Sequence, residues 1–293
     1  MSLLERNQRN LILLSAGKGE RLRPWTEQTP KPAIPFLSVP MSAWVLSLVD
    51  RISLRHLVVN THHLSQQIED LHWRLKWPCQ KLIFSHEKEL LGSSGGIHAA
   101  QRHLTGQNFF LAANADSIFL PSQDGCIELL IEEHQRNKNL ATYLVVTPPK
   151  GDQWTTLLAD SDMHLKGFSS QKSVSGTPFH YIGWAVYSDR ISHFFNDRVS
   201  VEQLFEHTIP RALQAGEKVG LHLTKGRWFE TGNSNDFLSA SETCLQILES
   251  REDSFEKRFL EQTIRLQGGS EALIERENKQ FLQQLTSVLS KIR

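Results

Sequence analysis

The 293-residue chain carries 32 basic and 32 acidic side chains, so its formal net charge is zero. That balance argues against binding nucleic acid or an anionic membrane surface by bulk charge, and 39% hydrophobic with 22% charged residues excludes wholesale disorder. The polar start MSLLERNQRN, the lack of a long apolar run and three scattered cysteines (Cys79, Cys126, Cys244) predict a soluble cytoplasmic protein with reduced thiols.

The residue pattern alternates short apolar runs with amphipathic stretches. Leu11 to Ala16 is nearly all apolar and ends in a glycine turn, as a strand covered on both faces should. Leu57 to Val59, Leu82 to Phe84 and Phe109 to Ala113 repeat that look. Between them, Met41 to Ile52, Ser65 to Leu75 and Gly95 to Leu104 read as helices, with Ser65 as an N-cap and the serines before Gly95 opening the third. This rhythm predicts an α/β fold with right-handed crossovers and a mainly parallel sheet flanked by helices.

After Asp116 the pattern loosens. Ile127 to Gln135 reads as a helix and Thr142 to Thr147 as a strand, followed by a polar excursion over 148–178 with no long periodic segment. Such an excursion suits a substrate-facing insertion or a plain surface loop. Phe179 to Tyr187 and Arg227 to Glu230 resume as strands, around a helix at Val201 to Gln214 that Pro210 should kink or shorten. From Phe237 the pattern is helical. Beyond Gly268-Gly269, Ile274, Asn278, Phe281, Leu285, Val288 and Ile292 form an a/d seam too short for a secure coiled coil. The seam either packs on the chain's own domain or pairs two copies, leaving monomer and homodimer open.

The chemistry concentrates in Leu14-Ser15-Ala16-Gly17-Lys18-Gly19-Glu20-Arg21-Leu22-Arg23-Pro24, continuing through Thr29-Pro30-Lys31-Pro32. It follows the first strand, where open α/β sheets place their ligands. Gly17 and Gly19 allow close backbone approach to an anion, Arg21 can fork onto phosphate oxygens, and Lys31 adds a point charge. Four cations (Lys18, Arg21, Arg23, Lys31) against two acids (Glu20, Glu27) polarise this stretch inside a neutral chain. A dinucleotide fingerprint fails because Leu22 stands where its third glycine belongs, and no Walker A motif occurs. Asp116 and Glu230 each end a strand-like run, and two such carboxylates with phosphate oxygens and water suit Mg²⁺. Solvated strand-end acids are the alternative. The LGSSGG stretch at 91–96 offers small residues with free N–H groups for a base or ribose, or is simply a glycine-rich helix start. His62-His63 reads as ordinary strand-end histidines rather than a metal site.

These stretches resemble the signature of the sugar-1-phosphate nucleotidylyltransferases, the nucleoside-diphospho-sugar pyrophosphorylases. The similarity is closest to the short bacterial branch that includes N-acetylmuramate-1-phosphate uridylyltransferase and mannose-1-phosphate guanylyltransferase-like enzymes. It covers about residues 10–245 and recurs at NTHHLSQQIED (60–70), LGSSGG (91–96), Asn114-Ala115-Asp116 and GRWFETG (226–232). The resemblance implies a Rossmann-like nucleotide-diphospho-sugar transferase fold over 1–245, with 148–178 as a sugar-side insertion and 246–293 as a C-terminal helical extension. It implies a nucleoside triphosphate, UTP or GTP, and a sugar 1-phosphate as partners, with Mg²⁺ as cofactor. By the same resemblance Arg21, Lys31 and Asp116 are catalytic, and Asp116 and Glu230 hold the metal. Ala16, Gly17, Lys18, Gly19, Glu20, Arg21, Leu91, Ser94, Gly95, Gly96 and Asn114 bind nucleotide; Lys172, Gly183 and Glu202 bind the sugar phosphate.

Three departures stand out. Glu230 replaces the usual aspartate, Ala115 replaces a glycine and is expected to narrow the sugar pocket, and Trp25 and Trp228 are bulky. A non-catalytic nucleotide-binding relative, transfer to a phosphate such as phosphocholine, and a nicotinamide-dependent oxidoreductase remain the competing readings.

Overall fold

The computed structural model describes residues 8–104, 107–149 and 155–266. In chain order the elements are β1 (Arg9–Leu14), β2 (Pro35–Phe36), β3 (Val39–Pro40), α1 (Met41–Ser47), β4 (Leu54–Thr61), α2 (Ser65–Arg74), β5 (Cys79–His86), α3 (Gly92–Leu104), β6 (Phe109–Asn114) and β7 (Ile118–Pro121). They continue with α4 (Cys126–Asn137), β8 (Ala141–Val146), β9 (Leu157–Ala159), β10 (Leu165–Phe168), β11 (Thr177–Ser188), α5 (Ile209–Gln214), β12 (Val219–Leu223), β13 (Gly226–Phe229), α6 (Ser234–Glu249) and α7 (Phe255–Leu266).

The main sheet runs β5-β4-β1-β6-β11-β8-β12, with β9 and β10 added along the first residues of β11. Every strand in it except β10 and β11 points the same way. The carboxyl ends of β1, β4, β5 and β6 therefore share one edge, where Leu14 sits in register with both Asn60 and Asn114. Both faces are covered. Leu11, Leu13, Leu57, Val59, Leu111 and Ala113 enter one apolar cluster with α1, α2, α4, α6 and α7. The alternating Ile12, Val58, Phe110 and Ala112 enter a second with α3 and α5. Alternate side chains of a strand point to opposite faces, so double coverage explains why these strands read as unbroken apolar runs.

Several expectations are corrected. Ser65 is the first residue of α2 rather than its cap; Leu64 holds the cap position with φ 50° and no side-chain bond. The first helix ends at Ser47, five residues early. The helix expected over 201–214 begins only at Ile209 after a π-helical turn, with Pro210 in the first turn of α5, where its missing N–H is harmless. The 148–178 excursion holds the short pair β9 and β10, whose few residues give no periodic signal. Helix α6 runs straight through residue 245, and Phe259, Leu260 and Ile264 of α7 are buried in the first cluster. Residues 246–266 are thus built into the same core, while the seam from Ile274 to Ile292 lies outside the described residues. Among the described residues no helix is long and apolar enough to cross a membrane.

Candidate active site

The loop after β1 folds into three short turns, Glu20–Leu22, Trp25–Glu27 and Lys31–Ala33. Gly19 holds φ 63°, and a Cβ there would lie 2.8 Å from Thr26 Cγ2, so glycine is required. Thr26 returns its hydroxyl to the Gly19 carbonyl at 2.9 Å. The β4–α2 loop and the first turn of α2 anchor the same segment from outside: His63 Nε2 bonds the Thr26 carbonyl at 2.6 Å and Gln67 donates to the Gln28 carbonyl at 2.9 Å. His62 Nδ1 likewise bonds the Glu87 carbonyl at 3.0 Å. Both histidines act as ties between loops.

A cleft of about 500 Å³ opens at this edge, lined by Ser15, Gly17, Lys18, Gly19, Glu20, Arg21, Lys31, Leu90, Asp116 and Gly232 among others. Lys31 Nζ lies 2.7 Å from Asp116 Oδ2, and Arg21 Nη2 lies 3.8 Å from Glu230 Oε1. Arg21 is otherwise 68% exposed, so most of its guanidinium faces solvent. Glu230 also accepts the Gly232 N–H. The antiparallel ribbon of β7 and β13 brings the two acids together: Ile118 pairs with Phe229, and Asp116 and Glu230 flank that pair at one end. Thr231 closes the ribbon through the Asp116 carbonyl at 3.4 Å.

No group of three or more His, Cys, Asp or Glu side chains that could hold a metal occurs among the described residues. The pair Asp116 and Glu230 nevertheless fits Mg²⁺, which commonly takes one or two protein carboxylates and completes its shell with phosphate oxygens and water. Each acid faces a cationic side chain, Lys31 for Asp116 and Arg21 for Glu230, so a metal held there would take the place of those partners.

The second wall differs from what its sequence suggests. The N–H groups of Leu91, Ser93, Ser94 and Gly95 are not free. Leu91 donates to Glu87 Oε2 at 2.9 Å, Ser93 to Gln203 Oε1 at 3.2 Å, and Ser94 and Gly95 to the Glu202 carbonyl at 2.9 and 3.2 Å. A Cβ at Gly95 would collide with the Ser200 carbonyl. Segment 200–203 thus caps α3 from outside, and none of Leu91, Ser94, Gly95 or Gly96 lines the cleft. Glu202 belongs to this cap. It is 3% exposed, accepts from Ser94 Oγ at 3.3 Å and pairs with Arg211.

Gly183 (φ 88°) lies at an irregularity of β11, where a Cβ would come within 3.1 Å of Ser117 and 3.2 Å of Asn114. It therefore packs beside the Asp116 turn. Lys172 is exposed in the turn after β10 and does not line the cleft. Ala115 is fully buried in the first cluster, with its carbonyl bonded by Ser42 Oγ at 3.2 Å; its methyl fills core and does not narrow the pocket. Trp25 meets Phe237 edge to face at 6.5 Å, and Trp228 lies 4.1 Å from the His180 ring.

Asn60 and Glu87 were not singled out from the sequence. Asn60 Oδ1 accepts the Ser15 N–H at 2.6 Å, and its Nδ2 donates to Glu87 Oε1 at 2.7 Å. Glu87 is 2% exposed, and burial pushes its carboxyl above the ordinary range against the lowering effect of its Leu91 and Asn60 bonds. Within the sequence, Asn60 sits in a motif block and Glu87 four residues before LGSSGG, and only their pairing across strands reveals a role.

The Nucleotidyl transferase family model matches residues 10–247. The mannose-1-phosphate guanylyltransferase catalytic subunit beta of Drosophila melanogaster is 26% identical over 260 residues, which cover 86% of this chain and 67% of the relative. That of Danio rerio is 24% identical over 251 residues, 84% of this chain and 67% of the relative. Among solved structures, HddC from Yersinia pseudotuberculosis complexed with GMP-PN matches with TM-score 0.65 at 19% identity, over 80% of this chain and 99% of that one. UDP-glucose pyrophosphorylase from Acinetobacter baumannii matches with TM-score 0.69 at 16% identity, over 88% and 99%. The solved structures share the fold, and the matched residues take in the glycine loop, Asp116 and Glu230 alike: the chain belongs to the nucleotidyl transferase family.

Proposed function

We propose that the protein joins a nucleoside triphosphate, GTP or UTP, to a sugar 1-phosphate, giving a nucleoside diphosphate sugar and pyrophosphate. The carrying observation is the cleft itself, where Lys31, Arg21 and Asp116 converge on the glycine loop at the carboxyl edge of the sheet. The guanylyltransferase relatives and the GMP-PN complex of a structural neighbour favour GTP.

A phosphate oxygen of the sugar attacks the α-phosphorus in line as pyrophosphate leaves. That oxygen is already ionised at neutral pH, because a phosphate monoester has a second pKa of about 6, so no general base is needed. Catalysis then reduces to placing the two phosphates and neutralising their charge. Lys31 exchanges Asp116 for phosphate oxygens, and Arg21, exposed on one side, reaches the departing pyrophosphate. Asp116 and Glu230 would hold Mg²⁺, which when bound neutralises charge on the phosphate oxygens. Lys172 and Gly183 serve the sugar phosphate, while Glu202, Ser94 and Gly95 act indirectly by fixing the second wall.

Pyrophosphate release measured across GTP, UTP, CTP and dTTP with several sugar 1-phosphates, in the presence of Mg²⁺, tests this reading. Turnover with GTP or UTP and one sugar phosphate is expected, and its loss on adding a chelator. Nucleotide binding without release in any pairing would favour a non-catalytic homologue, and turnover with phosphocholine in place of the sugar would move the acceptor class.

A further inference from the structure

One buried chain of hydrogen bonds joins the two walls of the cleft, and none of its side chains lines the cleft. It runs from the Ser15 N–H to Asn60 Oδ1 (2.6 Å), from Asn60 Nδ2 to Glu87 Oε1 (2.7 Å), and from the Leu91 N–H to Glu87 Oε2 (2.9 Å). Ser15 lines the cleft on the side of the glycine loop, and Leu90, next to Leu91, lines it on the other. The polarity is fully determined. As a carboxylate Glu87 offers only acceptors, so Asn60 must turn its amide group toward it and its carbonyl toward Ser15. Gly96 leaves the room: a Cβ there would stand 2.7 Å from Asn60 Nδ2 and 2.8 Å from Glu87 Oε1. The main chain of Glu87 is tied in turn to the end of β4, through its N–H to the Thr61 carbonyl at 2.8 Å and its carbonyl to His62.

An apolar pair could fill this volume with less desolvation, but it could not join backbone donors from two separate loops. We infer that Asn60 and Glu87 are positioning residues that set the width of the nucleotide cleft, holding the Ser15 and Leu90 walls at one separation. The inference rests on the reading that this cleft takes a nucleoside triphosphate. Gly96 then serves the site as the spacer that admits the bridge.

The bridge has a property that ordinary packing lacks: its polarity can be inverted. Glu87→Gln alone sets an amide N–H against either the Asn60 or the Leu91 donor. Asn60→Asp alone sets carboxylate against carboxylate. The reciprocal pair, Asn60→Asp with Glu87→Gln, satisfies every group again. Asp accepts from Ser15 and from the new Gln amide, and the Gln carbonyl accepts from Leu91. Gly96→Ala displaces the same bridge without altering its chemistry.

The test measures GTP·Mg²⁺ and UTP·Mg²⁺ binding by calorimetry, pyrophosphate-release kinetics for both substrates, and melting temperature. Each single variant and Gly96→Ala are expected to weaken nucleotide binding and raise its KM by about tenfold, with the sugar-phosphate KM held within about twofold. The reciprocal pair is expected to return nucleotide KM to within about threefold of wild type. Nucleotide KM unchanged in the single variants would overturn the inference, as would a pair that binds no better than the worse single variant. If the single variants unfold, the pair decides alone: folding with near wild-type nucleotide affinity supports the bridge, and failure to fold or bind overturns it. A wild-type protein that binds neither nucleotide defeats the underlying reading before any variant is compared.

Discussion

The two walls of the cleft solve different problems. The glycine-loop wall presents charge: Arg21 is mostly exposed, Lys31 meets Asp116, and the segment is held from outside by His63 and Gln67. The opposite wall presents almost none. The N–H groups of Leu91, Ser93, Ser94 and Gly95 are spent on Glu87, Gln203 and Glu202, and segment 200–203 covers the start of α3. Charge that must meet phosphates has to remain reachable, whereas a wall that defines shape gains from complete satisfaction of its polar groups. Under the proposed function, the first wall serves turnover and the second serves rigidity.

Breaking the first wall should give the largest effect. Asp116→Asn or Arg21→Ala is expected to lower kcat/KM by about a thousandfold or more, since the first removes a carboxylate that would hold Mg²⁺ and the second a cation that meets the phosphates directly. The melting temperature of Arg21→Ala should stay near wild type, because Arg21 is largely solvated. Near-normal rates in either variant, measured by pyrophosphate release, would defeat the assignment. The second wall should respond in the opposite way. Glu202→Ala removes a buried acceptor from Ser94 and Arg211. The partner left behind is partly exposed and keeps the Phe194 carbonyl at 3.0 Å, so a loss of about 2–3 kcal/mol by denaturant titration is expected. A stable Glu202→Ala protein with a sharply raised sugar-phosphate KM would return Glu202 to the sugar.

Acid titration sharpens the contrast next. Burial raises the Glu87 carboxyl above its ordinary 4.5, so between that value and its folded value the native state binds the extra proton. Stability contributed by this group is therefore present at low pH and falls as pH rises through that window. The stability advantage of wild type over Glu87→Gln, read by melting temperature, should shrink as pH rises through that window. A difference that stays constant from acid to neutral pH would show that the Glu87 carboxyl titrates as it does in the unfolded chain.

The same contrast explains what could be read in the sequence. The first wall is local: GKGERLRP and PKP carry their cations and glycines within one stretch, and β1, β4 and β6 announce double coverage as unbroken apolar runs. Asp116 and Glu230 follow from strand ends. The second wall is non-local. Glu202 closes on Ser94 from more than a hundred residues away, and Asn60 meets Glu87 just past the end of the neighbouring strand, so spacing alone suggested free N–H groups at Leu91, Ser93, Ser94 and Gly95, where the fold spends them. Ala115 misled for a related reason, since its neighbour in space is Ser42 of α1 rather than a ligand. Strands β9 and β10 escaped because three or four residues cannot show a period.

Lys172 lies on neither wall and gives the smallest prediction. It is exposed in the turn after β10, so any phosphate it meets is screened by water and salt. If it steers the sugar phosphate, Lys172→Ala should raise that substrate's KM by about two- to fivefold at low ionic strength, which is under ~1 kcal/mol. The difference should fade as salt approaches 1 M, where screening acts within about 3 Å. Nucleotide KM and kcat should not move. A salt-independent loss of tenfold or more would instead mean that the turn after β10 closes over the cleft and desolvates the lysine against the phosphate. The sugar side would then possess a wall of its own, combining the charge of the first with the burial of the second.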